Sequence, residues 1–210
     1  MASKINAALL AALLPAAVCV RFFSQPPAER EQWLGIYLRN LVMAALASII
    51  LFRIFQPYAF SGPGFFNFIP NPLWVENLRS LAAQSTGDVD FPPALQWARR
   101  PIWFSLQNLV LWGLGLPLGL LAWAGFFWMG YRIFKGEWQT HLLTWGWTGL
   151  YFAYQSINFT SSMRYQMLIY PTLAIIAAWA VFALWDRTRT VDPRPGRVRM
   201  NWSTVAAVLP

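Results

Sequence analysis

The chain has 210 residues, of which 57% are hydrophobic, 17% aromatic and only 11% charged, with a mean hydropathy of +0.41. A soluble domain carries about 25% charged residues because its surface must face water. The composition therefore excludes a soluble globular enzyme and a disordered tail, and a single cysteine, Cys19, excludes a disulfide scaffold or a thiolate metal cluster. The net charge of +8 does not point to nucleic acid, because Lys and Arg stand at the ends of apolar stretches. The densest cluster, Arg187, Arg189, Arg194, Arg197 and Arg199, directly follows an apolar run, as in a juxtamembrane cytoplasmic loop.

A membrane-spanning helix needs about 20 mostly apolar residues. Residues 5–20 are a short first candidate, interrupted by Pro15 and ended by Arg21. The same stretch also reads as a signal peptide with Lys4 as its basic start. A span is preferred, since Val18 stands where a lipoprotein cleavage site wants a small residue. Residues 34–55 are the second candidate, with Arg39 and Arg53 near its ends, where long side chains can snorkel.

Residues 56–104 hold no stretch able to cross a bilayer, and Pro57, Gly62, Pro63, Gly64, Pro70, Pro72, Pro92, Pro93 and Pro101 break any continuous helix there. Within this segment, residues 72–84 carry apolar positions at helical spacing. Asn71 is placed to cap that helix, Pro72 suits its first turn and Gly87 lies just past its end. The pattern predicts a helix lying along a membrane surface. A long non-spanning segment of this kind is where function is expected.

Residues 106–131 form a third candidate span, with Gly113, Gly115, Gly119, Gly125 and Gly130 allowing close helix contact in lipid. Residues 142–159 and 167–185 are the fourth and fifth, and a sixth apolar run stops at Pro210. The expectation is an all-α polytopic integral membrane helix bundle. Residues 1–55 would hold two spans, 56–104 an extracytoplasmic loop, 105–185 three spans, 186–203 a basic cytoplasmic loop and 204–210 the start of a truncated span. The arginine cluster sets the orientation, cytoplasmic for 187–199 and external for 56–104.

No zinc signature, phosphate-binding glycine loop or nucleophile elbow occurs, and no metal site is expected. The single histidine, His141, reads as a polar anchor at a span boundary, and Asn158-Phe-Thr160 is a formal glycosylation sequon against the membrane. Asp88 and Asp90 read as a solvated turn. Glu76 and Arg79, three residues apart on one helix, read as a surface ion pair. Arg53, Arg99, Arg100 and Arg164 all fall near span ends on the outer side, where several guanidinium forks could hold the phosphate of a lipid carrier. Snorkelling to ordinary headgroups is the competing reading for each.

The string Phe52-Arg-Ile-Phe-Gln-Pro-Tyr-Ala-Phe60 is followed by Gly62-Pro63, Asn71-Pro72-Leu-Trp74, Pro92-Pro93 and Gln96-Trp97-Ala98-Arg99. Asn108-Leu-Val-Leu-Trp-Gly-Leu-Gly-Leu-Pro-Leu-Gly119 and Ser162-Met-Arg-Tyr-Gln-Met-Leu-Ile-Tyr-Pro171 complete an ordered set over residues 40–186. This set resembles the prokaryotic polytopic glycosyltransferases of the GT-C class, which depend on a phospholipid carrier and are related to protein O-mannosyltransferases. The resemblance implies transfer of a sugar from a polyprenyl-phosphate donor to an acceptor at the outer face of a cell membrane. Arg164, Tyr165, Arg53 and Arg99 would hold the donor phosphate, and Gln56, Tyr58, Gln96 and Trp97 would belong to the family's loop motif. The class places its catalytic acidic residue in the first external loop, near the N-terminus, whereas only Met1-Ala-Ser-Lys4 precedes the first candidate span here. The chain is therefore expected to be a fragment, with the missing N-terminal and C-terminal parts of the enzyme, the sugar donor and membrane lipid as its partners. A transporter or a lipid-binding membrane scaffold without catalysis is the rival reading. Transporters usually show inverted repeats, and no internal repeat is visible.

Overall fold

The computed structural model describes residues 7–62, 64–87, 92–191 and 198–200. The architecture is all-α. A 3-10 turn, Ala7–Ala12, leads into α1 (Leu13–Ser24), where Pro15 falls in the first turn and its missing N–H costs nothing. The turn after α1 is pinned by Arg30, which donates to the carbonyls of Gln25 at 3.1 Å and Phe23 at 3.2 Å, and by Gln25, which donates to the Tyr37 hydroxyl at 2.9 Å.

Helix α2 (Pro27–Phe55) starts seven residues before the apolar stretch that predicts it, because Pro27 sits at N1 and Glu29 complements the positive end of the helix. It is apolar on every side. Val42, Met43, Leu46, Ile49, Ile50 and Leu51 are all exposed, and Arg53 is its one buried residue. Helix α3 (Pro72–Thr86) follows its sequence signals closely. The Asn71 side chain accepts the Leu73 amide at 3.0 Å, Pro72 opens the first turn and Gly87 ends it in the left-handed conformation.

The third predicted span is not one helix. Residues Phe104–Asn108 (α4) run into a π turn, Leu109–Gly113, and the chain then reverses at Gly115, whose φ of 78° suits glycine. Helix α5 (Leu116–Arg132) starts with Pro117 in its first turn and folds back so tightly that a Cβ on Gly119 would lie 2.8 Å from the Val110 backbone. Hydropathy is continuous across this reversal, but the backbone is not. A second π turn, Ile133–Glu137, with Gly136 at φ 105°, leads to α6 (Trp138–Ile157). A 3-10 stretch, Met163–Ile169, then runs into α7 (Tyr170–Thr188). Pro171 lacks the N–H for a bond back to residue 167, and the Tyr170 amide bonds Met167 instead. The rod 163–188 and α2 are both long and apolar enough to cross a membrane by length and composition.

The core lies between α5, α6 and α7. Leu109, Ala122, Tyr151, Ile169, Leu173 and Ala177 form one buried cluster, and Phe126, Met129 and Ile176 form a second. Gly125 lets α5 and α7 meet, since a Cβ there would lie 3.0 Å from the Ile176 carbonyl oxygen. Helix α1 packs on α6 and on α2. The predicted basic loop 186–203 is partly structured. Helix α7 continues to Thr188, and β1 (Arg189–Val191) then pairs antiparallel with β2 (Val198–Met200). Arg194 and Arg197, and the predicted truncated span 204–210, lie outside the described residues.

Candidate functional site

The C-terminal turn of α2 and the segment after it form a folded lobe. The lobe is built around Arg53, which is 5% exposed. Its guanidinium donates to the carbonyls of Gly64 at 2.6 Å, Phe65 at 3.1 Å and Pro57 at 3.4 Å, and stands over the Phe60 ring at 5.1 Å. Residues 59–61 run beside 69–71. The Ser61 amide bonds the Ile69 carbonyl at 2.8 Å, the Asn71 amide bonds Ala59 at 2.9 Å and the Asn71 side chain donates to the Tyr58 carbonyl at 3.1 Å. Phe52, Phe60, Phe68 and Trp74 make edge-to-face contacts across the lobe.

The far end of α3 docks on the turn between α6 and α7. The Thr160 amide donates to the Ser85 carbonyl at 3.3 Å, and Gly87 lies against the Phe159 ring. Beneath this turn is a buried polar network. The Tyr151 hydroxyl donates to the Tyr165 carbonyl at 2.9 Å and accepts from Gln155 at 3.2 Å, and Gln155 in turn accepts from Asn158 at 3.4 Å. Gln166, also buried, donates to Ser156 at 3.4 Å, and its Oε1 has no partner among the described residues. Each of these groups costs free energy in an apolar core unless bonded. The network therefore fixes where the short stretch 163–166 can sit.

Arg164 projects from that stretch and is exposed, its guanidinium 5.7 Å from the Tyr165 ring centroid. It lines an open groove of about 690 Å³ with Leu114, Met163, Met167, Tyr170 and Pro171. The groove runs between the chain reversal before α5 and the start of α7. An arginine above an apolar groove can hold an anionic head while the groove takes an apolar tail.

Of the residues proposed for the donor phosphate, Arg164 and Tyr165 are in contact, whereas Arg53 and Arg99 do not line the Arg164 groove. Arg53 is spent on three loop carbonyls and does not line the Arg164 groove. Arg99 is exposed, with a φ of 63° that is unusual outside glycine, and it does not line the groove either. The motif residues make contacts local to their own segments. The Gln56 amide bonds Phe52 at 2.9 Å to end α2, and the Tyr58 carbonyl accepts Asn71. The Gln96 carbonyl accepts Arg100 Nε at 2.9 Å, and the Trp97 ring packs edge-on against Phe104.

Glu76 and Arg79 do approach, at 3.9 Å, with both side chains exposed. Asp88 and Asp90 lie outside the described residues. His141, expected at a boundary, is buried at 6% exposure, with Nε2 3.5 Å from Glu137 and its ring against Trp179. Glu137 also accepts from Arg132, and that hydrogen bond, first among several causes, holds its carboxyl below the usual range. Among the described residues no three of His, Cys, Asp and Glu gather as a metal cluster. Tyr151, Gln155 and Gln166 are polar residues inside apolar windows, which is the sequence signal for such a network.

Comparison with protein-family models, with curated proteins and with solved structures finds no match to this chain.

Proposed function

We propose that the chain is a polytopic integral protein of a prokaryotic cell membrane. In this reading it binds the phosphate of a polyprenyl-linked sugar donor at its extracytoplasmic end, as part of a GT-C class glycosyltransferase. The observation that carries the reading is Arg164, exposed beside Tyr165 over an apolar groove of about 690 Å³. A phosphate with a hydrocarbon tail matches both halves of that arrangement. Helix α2 supports the membrane setting, because a long helix that is apolar all round and exposed along its length is unfavourable in water. The helix ends support the orientation. Arg21, Arg132 and Arg187 gather at the end of the bundle opposite Arg53 and Arg164, which is the distribution of a cytoplasmic face.

The test is binding of a photoreactive polyprenyl-phosphate sugar to the purified chain in lipid nanodiscs. Saturable labelling of peptides containing residues 163–171, competed by polyprenyl phosphate and not by neutral polyprenol, is the expected result. Equal competition by the two would remove phosphate recognition from the site.

A further inference from the structure

We propose that the cleft between α1 and α6 is a binding site for an anionic phospholipid, with one acyl chain along the cleft and the headgroup phosphate at Arg21. The cleft has two continuous parts. The first is an apolar groove of about 660 Å³, lined on α1 by Leu13, Ala16 and Val20 and on α6 by Leu143, Gly146 and Leu150. The second is a pocket of about 420 Å³ in which Arg21 and Ser24 face Gln139, Thr140 and Thr144. Val20 and Leu143 line both, so the groove opens directly into the polar pocket.

Charge and dimensions select the occupant. The polar pocket has a guanidinium and four neutral hydrogen-bonding side chains on its walls and no carboxylate, which suits a phosphate and disfavours a cation. Arg21 makes no ion pair among the described residues. The groove extends from Leu142 to Tyr154 on α6, about 18 Å at 1.5 Å per residue. That is close to one leaflet, half of a hydrocarbon core about 30 Å thick. The headgroup end lies with Arg132 and Arg187, where a membrane protein meets its anionic leaflet. Gly146 shows the groove to be open, because a Cβ built there meets nothing within 4 Å.

This site rests on the membrane reading and not on sugar transfer, since its headgroup pocket at Arg21 lies at the opposite end of α6 from Arg164. The experiment is native mass spectrometry of the full chain in mild detergent, with equimolar phosphatidylglycerol and phosphatidylcholine of identical acyl chains. Wild-type protein should retain phosphatidylglycerol over phosphatidylcholine by about fivefold, roughly what one basic side chain near an anionic headgroup supplies. Arg21→Gln should bring the ratio near one. Gly146→Leu, whose Cβ meets no atom within 4 Å and whose side chain enters the groove, should reduce retention of both lipids while far-ultraviolet circular dichroism stays unchanged. Ala16→Leu narrows the groove from the α1 side and gives the same reading if Gly146→Leu does not fold. Excess inorganic phosphate should leave retention unaltered. Equal retention of the two lipids by wild type overturns the proposal, as does displacement by free phosphate. A dimer dissolved by Gly146→Leu with lipid retention intact would assign the groove to a second copy of the chain and overturn it equally. Recovery of the chain from cells without detergent would remove the membrane reading beneath it, and binding of the sugar donor tests the other end separately.

Discussion

Arg53 Nη2 donates to the Gly64 carbonyl at 2.6 Å, tying the last turn of α2 to a loop eleven residues further on. With Phe65 and Pro57 also bonded, the guanidinium replaces water for three carbonyls at once. Substituting Arg53→Ala leaves those oxygens without their donor, and hydrogen bonds to charged groups contribute about 1.5–3 kcal/mol. The expected outcome is faster hydrogen exchange at the Ser61 and Asn71 amides and a lower thermal midpoint. Arg53→Lys should recover little, because a single ammonium cannot span the same three acceptors. Unchanged exchange in Arg53→Ala would show that the Phe52, Phe60 and Trp74 contacts hold the lobe unaided.

The bundle places residues 56–87 and Arg187 at opposite ends, which predicts opposite faces of a membrane. Cysteines introduced at Ser85 and Thr190, with Cys19 replaced, should differ in reaction with an impermeant thiol reagent on intact cells. Position 85 should label and position 190 should not. The reverse pattern would invert the whole orientation.

Local signals in the sequence carried α3 and the ends of most helices, because Asn71, Pro72 and Gly87 act on their immediate neighbours. The reversal before α5 carries no such local signal. Leu109 to Tyr131 is apolar throughout, and hydropathy does not register that Gly115 adopts a positive φ. The role of Arg53 was hidden too, since its acceptors come from a loop whose path depends on tertiary folding. Arg164 was legible as an exposed cation between two apolar stretches. The polar network that fixes it needs the packed structure, because Tyr151 reaches the Tyr165 carbonyl and Gln166 reaches Ser156 only when α6 and the 163–169 stretch are brought together.

Close packing at Gly125 gives a stability prediction. A Cβ there would press on the Ile176 carbonyl oxygen and the Ala180 methyl at 3.0 Å, and neither belongs to a flexible side chain end. Gly125→Ala should destabilise the bundle modestly, and Gly125→Leu by about 1–3 kcal/mol or more, the usual range for overpacking. Thermal unfolding in detergent, followed by circular dichroism, measures both. A stabilised Gly125→Ala would mean that α5 and α7 separate freely and that helix propensity decides the outcome.

The turn between α5 and α6 should respond to acid. Hydrogen bonding from Arg132, opposed by desolvation and aided by the charges of Arg132 and His141, lowers the Glu137 pKa from 4.5. A carboxyl with a depressed folded-state pKa contributes stability that is present above its unfolded value and lost as pH falls through the folded one. The thermal midpoint should therefore hold from neutral pH down to the ordinary carboxylate range and fall below it. Glu137→Gln should flatten that acid limb. An identical limb in the variant would assign the acid sensitivity to other groups.

Arg164 carries the functional prediction. It is exposed beside Tyr165 over an apolar groove, whereas Arg53 is occupied by carbonyls and Arg99 stands outside that groove. Of the three arginines proposed for the donor phosphate, Arg164 is the one whose side chain lines an apolar groove. Arg164→Ala should weaken binding of a polyprenyl-phosphate sugar by about tenfold, the scale of one charged hydrogen bond. Arg164→Lys keeps the charge and loses the two-pronged fork, so its affinity should fall between the two. Tyr165→Leu should have a smaller effect, through looser placement of the guanidinium. Arg53→Ala serves as the contrast, since it should open the lobe, with any change in affinity following from that loss of structure. Titration of the donor into each variant in nanodiscs, with circular dichroism to confirm folding, separates these outcomes. Wild-type affinity in a folded Arg164→Ala would make this arginine a headgroup anchor and leave the groove without its phosphate ligand.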